Sequence, residues 1–250
     1  MSARESLHAL VERYGNSVSG PGIDARANAH SMDRRWQVPG FDVAQARNAA
    51  VLMLFGPLDD SPSQFHADAV PDDLDVLLVE RAGTLSSHAG QVAFPGGRMD
   101  EGDAGPVDAA LREAREETGL DPAGVEVLGT FPGLPLPVSN HVVIPVLAWW
   151  AAPSPVAVVD YGESANVFRI PVADLLNPAN RVTAVARKDG HVHRSPGFTV
   201  NGTLVWGFTG LLLDRVLRET GWLSAVESQT PAAASRRSDA GWGPDLEVSL

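Results

Sequence analysis

Cysteine is absent from this 250-residue sequence, so disulfide bonds, thiolate metal sites and cysteine nucleophiles are excluded. Lysine is nearly absent as well: Lys188 is the only one, and arginine carries almost all of the positive charge. Acidic residues outnumber basic ones by 31 to 19, which gives a formal net charge of −12. That balance argues against a general nucleic-acid-binding surface. It does not argue against a small anionic ligand, because bound metal ions and a few arginines can reverse the local field.

Long apolar runs are also missing. The first 15 residues are charged and amphipathic and contain no apolar stretch of signal-peptide length. The apolar run near residue 50 is far too short to cross a membrane. The apolar fraction of 44% is nevertheless sufficient for a buried core. We therefore expect a cytoplasmic protein with no membrane partner and no nucleic-acid partner.

The order of predicted elements is strands, one helix, more strands and a second long helix. Strands are predicted at residues 49–55, 74–81, 125–128, 142–150 and 167–170, with antiparallel strands over 181–206. Helices are predicted at residues 2–14, 106–118 and 208–219, with a single helical turn at 172–176. This order predicts an α/β protein in which a mixed β-sheet lies between helices, an α/β/α sandwich.

Composition divides the chain into three segments. Residues 1–40 are predicted to be a helical and extended N-terminal extension, and residues 41–225 the main domain. Residues 226–250 are rich in Ala, Ser, Pro and Asp, which favours a disordered or loosely docked tail.

The stretch from Phe94 to Leu120 combines a glycine-rich turn with a short acidic helix. Pro106 suits the first helical turn, and Gly119 is placed for a left-handed C-cap. Glu113, Glu116 and Glu117 share one helical face, while the buried stripe is predicted to consist of Val107, Leu111, Ala114 and Thr118. Such a face is either a solvated acidic surface or a divalent-cation site, since clustered oxygen ligands suit Mg²⁺.

Two features of this stretch favour the cation site. Glycine lets the backbone approach a ligand closely, and a carbonyl oxygen there can join a metal shell. Asp100 and Asp103 add further carboxylates in the loop before the helix. Divalent cations on such a surface can bridge a diphosphate and lower the pKa of an attacking water, so no protein nucleophile is required.

The segment from Gly97 to Leu120 resembles the signature of the Nudix hydrolases. Its core, Arg-Glu, two residues, Glu-Glu, one residue and Gly, is present from Arg112 to Gly119. Asp103 occupies the position of the usual glutamate earlier in the signature, and the gap that follows it is one residue longer. The resemblance implies the Nudix-type α/β/α sandwich and hydrolysis of a diphosphate linkage with Mg²⁺ or Mn²⁺.

The residues upstream are similar to the coenzyme A diphosphatase branch of that family. The similarity includes residues 77–82, the segment HAGQVAFPGG over 88–97, and later stretches up to about residue 220. Val79 stands where this branch usually has threonine, and Ser86 where it usually has arginine. The missing arginine would remove one planar phosphate-binding group.

The resemblance implies a role for each matching residue. The implied metal ligands are Gly97, Glu113, Glu116 and Glu117. The implied catalytic residues are Arg112, which orients the glutamates, together with Glu116, Glu117 and Glu163. The implied substrate-binding residues are Arg81, Gly96 and Arg98.

Several of these roles have alternatives. Glu116 and Glu117 compete for the role of general base, and Glu163 is a general base, an extra metal ligand or an ordinary loop carboxylate. Arg81 either holds a substrate phosphate or pairs with a surface acid. His88 is better explained as a structural histidine than as a substrate contact. Trp149 and Trp150 are better explained as core residues than as a platform for a base.

Coenzyme A or an acyl derivative is the substrate that the resemblance implies. The alternatives are another nucleoside diphosphate derivative, such as ADP-ribose, NADH or a dinucleoside polyphosphate, and a non-catalytic nucleotide sensor. Isopentenyl diphosphate isomerases share the fold but rely on a cysteine, which this chain lacks. The resemblance further suggests a homodimer, for which the N-terminal segment is a candidate contact.

Overall fold

A computed structural model of the chain describes residues 1–14, 41–57, 63–83, 90–188, 190–229 and 242–249. Ser86, His88 and the whole of the predicted extended segment over residues 15–40 therefore lie outside the described residues, as do residues 230–241 and 250 of the predicted tail.

Helices are found in the described ranges at every position where the sequence predicts one, and one more follows near the C-terminus. They are α1 (Ala3–Tyr14), α2 (Pro106–Thr118), α3 (Val172–Leu176), α4 (Gly207–Glu219) and α5 (Trp222–Gln229). None of the helices in these ranges is both long and apolar enough to cross a membrane.

Twelve strands are described in the same ranges. They are β1 (Arg47–Pro57), β2 (Leu74–Arg81), β3 (Val92–Ala93), β4 (Gly96–Arg98), β5 (Val125–Thr130), β6 (Leu134–Leu136), β7 (His141–Trp150), β8 (Ser164–Pro171), β9 (Arg181–Lys188), β10 (His191–Val200), β11 (Thr203–Val205) and β12 (Asp245–Val248).

The strands form two sheets. The larger one has eight strands in the order β3-β2-β1-β7-β5, with β4 paired to β1, β6 to β7 and β8 to β2. Its central pair, β1 and β7, is parallel and its other pairs are antiparallel, so the sheet is mixed as predicted. The smaller sheet has the order β11-β10-β9-β12. The sequence predicted its antiparallel strands but not that they form a sheet of their own.

Helices cover both faces of the larger sheet, which confirms the α/β/α sandwich. Successive residues of a strand point to opposite faces, and β1 shows this alternation. Ala50, Leu52 and Leu54 pack with the alanines of α2. Met53 and Phe55 belong to a second cluster, which contains apolar residues of α1, α3, α4 and α5. Of the helices in the described ranges, α2 therefore lies on one face of the sheet and the others on the opposite side.

Helix α1 packs on β5 and β7. Leu7, Leu10 and Val11 are buried in the core. Arg4 donates from Nε to Glu126 at 2.9 Å and from Nη2 to the same carboxylate at 2.5 Å. The apolar face of α1 thus packs on its own sheet, and the homodimer suggested by the resemblance stays a prediction.

The described parts of the C-terminal segment, predicted to be disordered or loosely docked, contact the rest of the chain. Helix α5 runs across the predicted boundary at residues 225 and 226, and Val226 is 3% exposed. β12 pairs in parallel with β9. The hydroxyl of Thr183 also donates to the carbonyl of Gly243 at 2.9 Å. β12 thus covers an edge of β9 that would otherwise present a row of unpaired backbone groups.

The ends of α2 agree with the sequence, and its buried face agrees in part, since Ala114 and Thr118 are buried as predicted. Pro106 is its first residue, and Gly119 is a left-handed C-cap with φ 71° whose N–H donates to the carbonyl of Arg115 at 2.9 Å. Val107 and Leu111, predicted to be buried, are only half-buried. The buried residues of α2 are Pro106, Ala109, Ala110, Ala114, Glu117 and Thr118. Small alanines let α2 approach β1 and β4 closely, and Glu117 lies on this inner face.

Candidate active site

Gly96 and Gly97 of β4 bring the backbone against both β1 and α2. Gly96 pairs with Val51 and has a φ of 152°, and a Cβ at this position would collide with the carbonyl oxygen of Ala50. The positive φ and the close approach both require glycine. The glycine-rich turn predicted from the sequence is therefore a short strand held tightly between two elements.

Glu117 is buried against this strand. Its side chain projects from the inner face of α2, and Oε2 accepts a hydrogen bond from the N–H of Gly96 at 2.9 Å. The residue is only 6% exposed. Burial, and to a smaller extent the charges of Glu113 and Glu163, raise the pKa of Glu117 to about 7 against the opposing effects of the Gly96 N–H and Arg81.

Glu113 lies one turn before Glu117 and faces Gly97. A Cβ at Gly97 would lie 2.5 Å from the carboxylate carbon of Glu113, so the carboxylate occupies the space that a side chain would need. Burial raises the pKa of Glu113, and the hydrogen bond from Arg112 opposes that shift. Two partly or fully buried carboxylates therefore lie against consecutive glycines of β4.

Arg112 holds the surrounding groups together. Its Nε and Nη2 donate to the two carboxylate oxygens of Asp103 at 2.9 and 3.0 Å. Its Nη1 donates to Glu113 at 3.0 Å and to Glu116 at 3.1 Å. A further bond of 3.0 Å runs from Nη2 to the carbonyl of Arg98. The guanidinium group of Arg112 thus fixes both glutamates and the end of β4.

Asp103 serves Arg112 in this structure. Its side chain is only 4% exposed, and the hydrogen bond from Arg112 lowers its pKa. Oδ2 also accepts from the N–H of Asp100 at 2.7 Å, which closes the loop. The carboxylate that the signature usually supplies as glutamate is thus engaged by an arginine, although the loop is one residue longer.

Arg81 and Glu163 approach Glu117 from β2 and from the loop before β8. The N–H of Ala82 donates to the carbonyl of Glu163 at 2.8 Å, which ties this loop to the end of β2. The Nε of Arg81 is buried and has no hydrogen-bond partner among the described residues. The carboxylate of Glu163 is exposed. The charged groups of Arg81 and Glu163 therefore act on Glu117. The N–H at Nε of Arg81 is not accepted by any described residue.

Most of the site residues predicted from the sequence lie close together. The group comprises Arg81, Gly96, Gly97, Arg112, Glu113, Glu116, Glu117 and Glu163. Arg98 contributes its carbonyl oxygen to the group, but its side chain is exposed and lines a neighbouring cavity. Trp150 is buried and Trp149 packs on the core, as the simpler interpretation held.

The chemistry of the donor groups suits a hard divalent cation. Glu113 and Glu117 offer carboxylate oxygens beside the backbone of Gly96 and Gly97, and their burial carries a charge cost that a cation would offset. Glu116 is turned toward Arg112, with its side chain 58% exposed. Accordingly, no three Asp, Glu or His side chains within the described ranges converge on a single point. Glu116 would have to leave Arg112 to join the other two.

Two features in and beside the site were not predicted from the sequence. The pairing of Asp103 with Arg112 depends on how the loop folds back on α2, although the placement of Asp103 at the glutamate position of the signature was a usable signal. Arg47 lies at the start of β1 and lines the cavity beside Arg98. Nothing local in the sequence distinguishes Arg47 from other surface arginines.

The sequence matches the NUDIX domain family over residues 63–189. The chain belongs to this family. It is 36% identical over 146 residues to the uncharacterized Nudix hydrolase NudL of Cronobacter sakazakii (strain ATCC BAA-894), an alignment that covers 58% of this chain and 75% of the relative. The NudL protein of Salmonella newport (strain SL254) is 34% identical over 152 residues, with the same two coverages.

Among solved structures, this Nudix chain is similar to the Nudix hydrolase RenU of M. smegmatis, at 24% identity and a TM-score of 0.40 over 52% of this chain and 73% of that one. That score is too low to carry an argument about function. The family and the curated relatives identify the chain as a Nudix hydrolase. Nudix hydrolases generally use divalent metal ions such as Mg²⁺ or Mn²⁺ and act on small nucleotide derivatives.

Proposed function

We propose that this Nudix hydrolase cleaves the diphosphate linkage of coenzyme A or an acyl-coenzyme A. The products are 4′-phosphopantetheine, or its acylated form, and adenosine 3′,5′-bisphosphate. The observation that supports diphosphate chemistry most directly is the pair of carboxylates, Glu113 and Glu117, held against Gly97 and Gly96. The choice of coenzyme A comes from the upstream resemblance over residues 77–97.

Each residue of the site has an assigned role in this proposal. Glu113, Glu116 and Glu117 hold Mg²⁺ or Mn²⁺ together with the carbonyl of Gly97. Arg112, fixed by Asp103, orients the first two of these glutamates. Arg81 donates to a substrate phosphate through the nitrogen that has no partner among the described residues.

The reaction is a hydrolysis in which water adds to phosphorus and the bridging phosphorus–oxygen bond breaks. Divalent cations, when bound, polarise the phosphoryl oxygens and acidify the attacking water. Glu117, Glu116 or Glu163 accepts the proton that the water loses. Glu117 is buried beside Gly96, whereas the other two carboxylates are exposed, so the three differ in their access to solvent. Positioning and charge supply the catalysis, since phosphoryl transfer requires no protein nucleophile.

A second candidate substrate is another nucleoside diphosphate derivative, such as ADP-ribose, NADH or a dinucleoside polyphosphate. The observation that favours it is Ser86, which stands where the coenzyme A branch usually has arginine. A non-catalytic sensor is disfavoured because a sensor would have no need to keep buried like charges on α2.

The decisive experiment incubates the protein with coenzyme A, acetyl-coenzyme A, NADH, ADP-ribose and diadenosine polyphosphates in Mg²⁺ or Mn²⁺, and identifies the products by mass. Release of adenosine 3′,5′-bisphosphate from coenzyme A supports the proposal. Cleavage of ADP-ribose with coenzyme A untouched would replace the substrate and keep the reaction. If no compound is cleaved with either metal, the hydrolase proposal itself fails. Cytoplasmic location and a homodimer stay predictions, the latter checked by light scattering.

A further inference from the structure

A cavity lies beside the loop that follows β4. Its volume is about 530 Å³, within the range of roughly 300–1,000 Å³ found for small-molecule sites. One wall comes from the start of β1 and the turn before it, and the other from the end of β4. The lining residues used below are Arg47, Asn48, Arg98, Asp100 and Glu101.

The sheet places two arginines next to each other at this cavity. Ala49 of β1 pairs with Arg98 of β4, and Arg47 lies two residues before Ala49. Cross-strand partners and residues two apart share one face of a sheet, so Arg47 and Arg98 are diagonal neighbours, typically about 7–8 Å apart. Neither guanidinium group forms an ion pair with a carboxylate in the part of the chain that the structure describes.

Two carboxylates also line the cavity, so its lining carries two charges of each sign. Asp100 lies 3.7 Å from Nη2 of Arg112, on the side of the cavity that faces the catalytic group. Glu101 is exposed to solvent. The guanidinium group of Arg47 is partly anchored, since Nη2 donates to the carbonyl of Ser139 at 3.4 Å.

The pKa of the neighbouring His141 is affected by both arginines. Burial lowers the pKa of His141, and the charges of Arg47 and Arg98 lower it further. Both arginines therefore act on the same small region of a chain whose net charge is −12. Two guanidinium groups side by side can attract an anionic group of a ligand.

The cavity and the catalytic group share a wall. The carbonyl of Arg98 accepts a hydrogen bond from Arg112 at 3.0 Å, while the side chain of Arg98 lines the cavity. A substrate whose diphosphate lies at the glutamates could therefore reach the arginine pair with a second anionic group.

We propose that the cavity binds a phosphomonoester of the substrate, a phosphate group separate from the diphosphate that is cleaved. This rests on the proposed hydrolase function and narrows its substrate class to nucleotides that carry such a group. Guanidinium groups bind phosphate oxygens through two parallel hydrogen bonds. Arg47 and Arg98 supply two such groups. They bind phosphate in place of the arginine that the coenzyme A branch usually has at position 86.

The test compares substrates that differ only in this phosphate: coenzyme A with dephospho-coenzyme A, and NADPH with NADH. We expect kcat/KM to favour the phosphorylated member of a cleaved pair by about 10-fold or more, since a charge-assisted contact is worth at least that factor. Arg47→Gln should lower the ratio to what Arg98 alone can support. Arg115→Gln removes the same charge from an exposed position of α2 and should leave the ratio as it is.

A binding measurement separates this proposal from the proposed function. Calorimetry without metal should show adenosine 3′,5′-bisphosphate binding about 10-fold more tightly than AMP, and Arg47→Gln should reduce the difference. If the two nucleotides bind equally, or if the ratio of kcat/KM survives in Arg47→Gln, the phosphomonoester site is refuted. A difference in binding without cleavage of any substrate would refute the hydrolase and leave the site intact.

Discussion

Glu117 occupies the centre of the inner face of α2, where a helix packed on a sheet ordinarily carries an apolar side chain. Replacement by glutamine keeps the shape and an oxygen that can accept from Gly96, but it removes the charge. We expect Glu117→Gln to lower kcat by about 100-fold or more. Thermal unfolding should occur at the same or a higher temperature, because the Gly96 N–H and Arg81 offset only part of the cost of burying the charge that is removed.

Glu12→Gln serves as the control for that change. Glu12 is an exposed residue of α1, 65% exposed at its side chain, and lies away from the site. This variant should keep full activity. Full activity in Glu117→Gln would instead remove Glu117 from both the metal site and the reaction.

Asp103 offers a test of positioning without contact with the substrate. Asp103→Asn weakens the two-point grip on Arg112, which then holds Glu113 and Glu116 less firmly. We expect the dissociation constant for Mn²⁺ to rise about 10-fold or more, since residues that orient metal ligands have effects of that order. Asp108→Asn removes a carboxylate that accepts from the Ala104 N–H at the start of α2, and it should affect stability alone. Equal metal binding in both variants would contradict the role of Asp103.

His66 makes a prediction about pH. Hydrogen bonding to Asp72 raises its pKa, with a smaller effect from Asp68. The contribution to stability is therefore complete below the ordinary histidine pKa and is lost as pH rises through the higher folded value. An NMR titration of the ring should show a fall in pKa toward the ordinary value in Asp72→Asn, and a smaller fall in Asp68→Asn. Equal shifts in the two variants would contradict the stronger coupling to Asp72.

At the scale of elements, the sequence determined the position of α2 and only part of its buried face. Pro106 and Gly119 act through local backbone geometry, so both ends could be predicted. The buried face depends on how closely β4 and β1 approach, and that distance is a tertiary property. Val107 and Leu111 were therefore assigned to the core in place of Ala109 and Ala110.

The close approach of β4 leads to a sharp prediction for its glycines. Gly97→Ala places a methyl group within 2.5 Å of the Glu113 carboxylate, which must move. We expect a large loss of kcat with a well-folded protein, measured by steady-state kinetics and circular dichroism. Gly102→Ala is the matched control, because a Cβ there meets nothing within 4 Å. Equal activity of the two variants would show that Glu113 can move without consequence.

At the scale of the whole molecule, contacts between distant parts of the chain were the least predictable. The mixed sheet and the α/β/α layers followed from the order of elements and from the family resemblance. The cavity between Arg47 and Arg98 joins residues from two strands far apart in sequence, so no local pattern announced it. The polar composition of the tail likewise concealed β12, because a short strand can pair through its backbone whatever its side chains.

Removal of that strand tests its role in the molecule. A chain ending at Gln229 leaves the backbone of β9 without its parallel partner, and we expect a lower melting temperature and larger species in light scattering. Activity should persist, since α2 and β4 pack with the other sheet. Glu247→Gln in the full chain removes only the exposed pair with Arg187 and should behave like the unaltered protein. If the shortened chain behaves like the full chain, β12 contributes nothing to stability.

The hydrogen bond from Arg112 to the carbonyl of Arg98 connects the cavity to the glutamates of the catalytic group. Binding of a phosphate in the cavity is therefore coupled to binding of a metal at the glutamates. A phosphate that draws the Arg98 side chain into the cavity pulls on the same backbone that Arg112 grips, and Arg112 in turn holds Glu113 and Glu116. Binding of the metal and binding of the phosphomonoester are then coupled. If the metal raises the affinity for the phosphomonoester by some factor, the phosphomonoester must raise the affinity for the metal by the same factor. The affinity of the enzyme for Mg²⁺ would therefore differ between a substrate that carries the extra phosphate and one that lacks it.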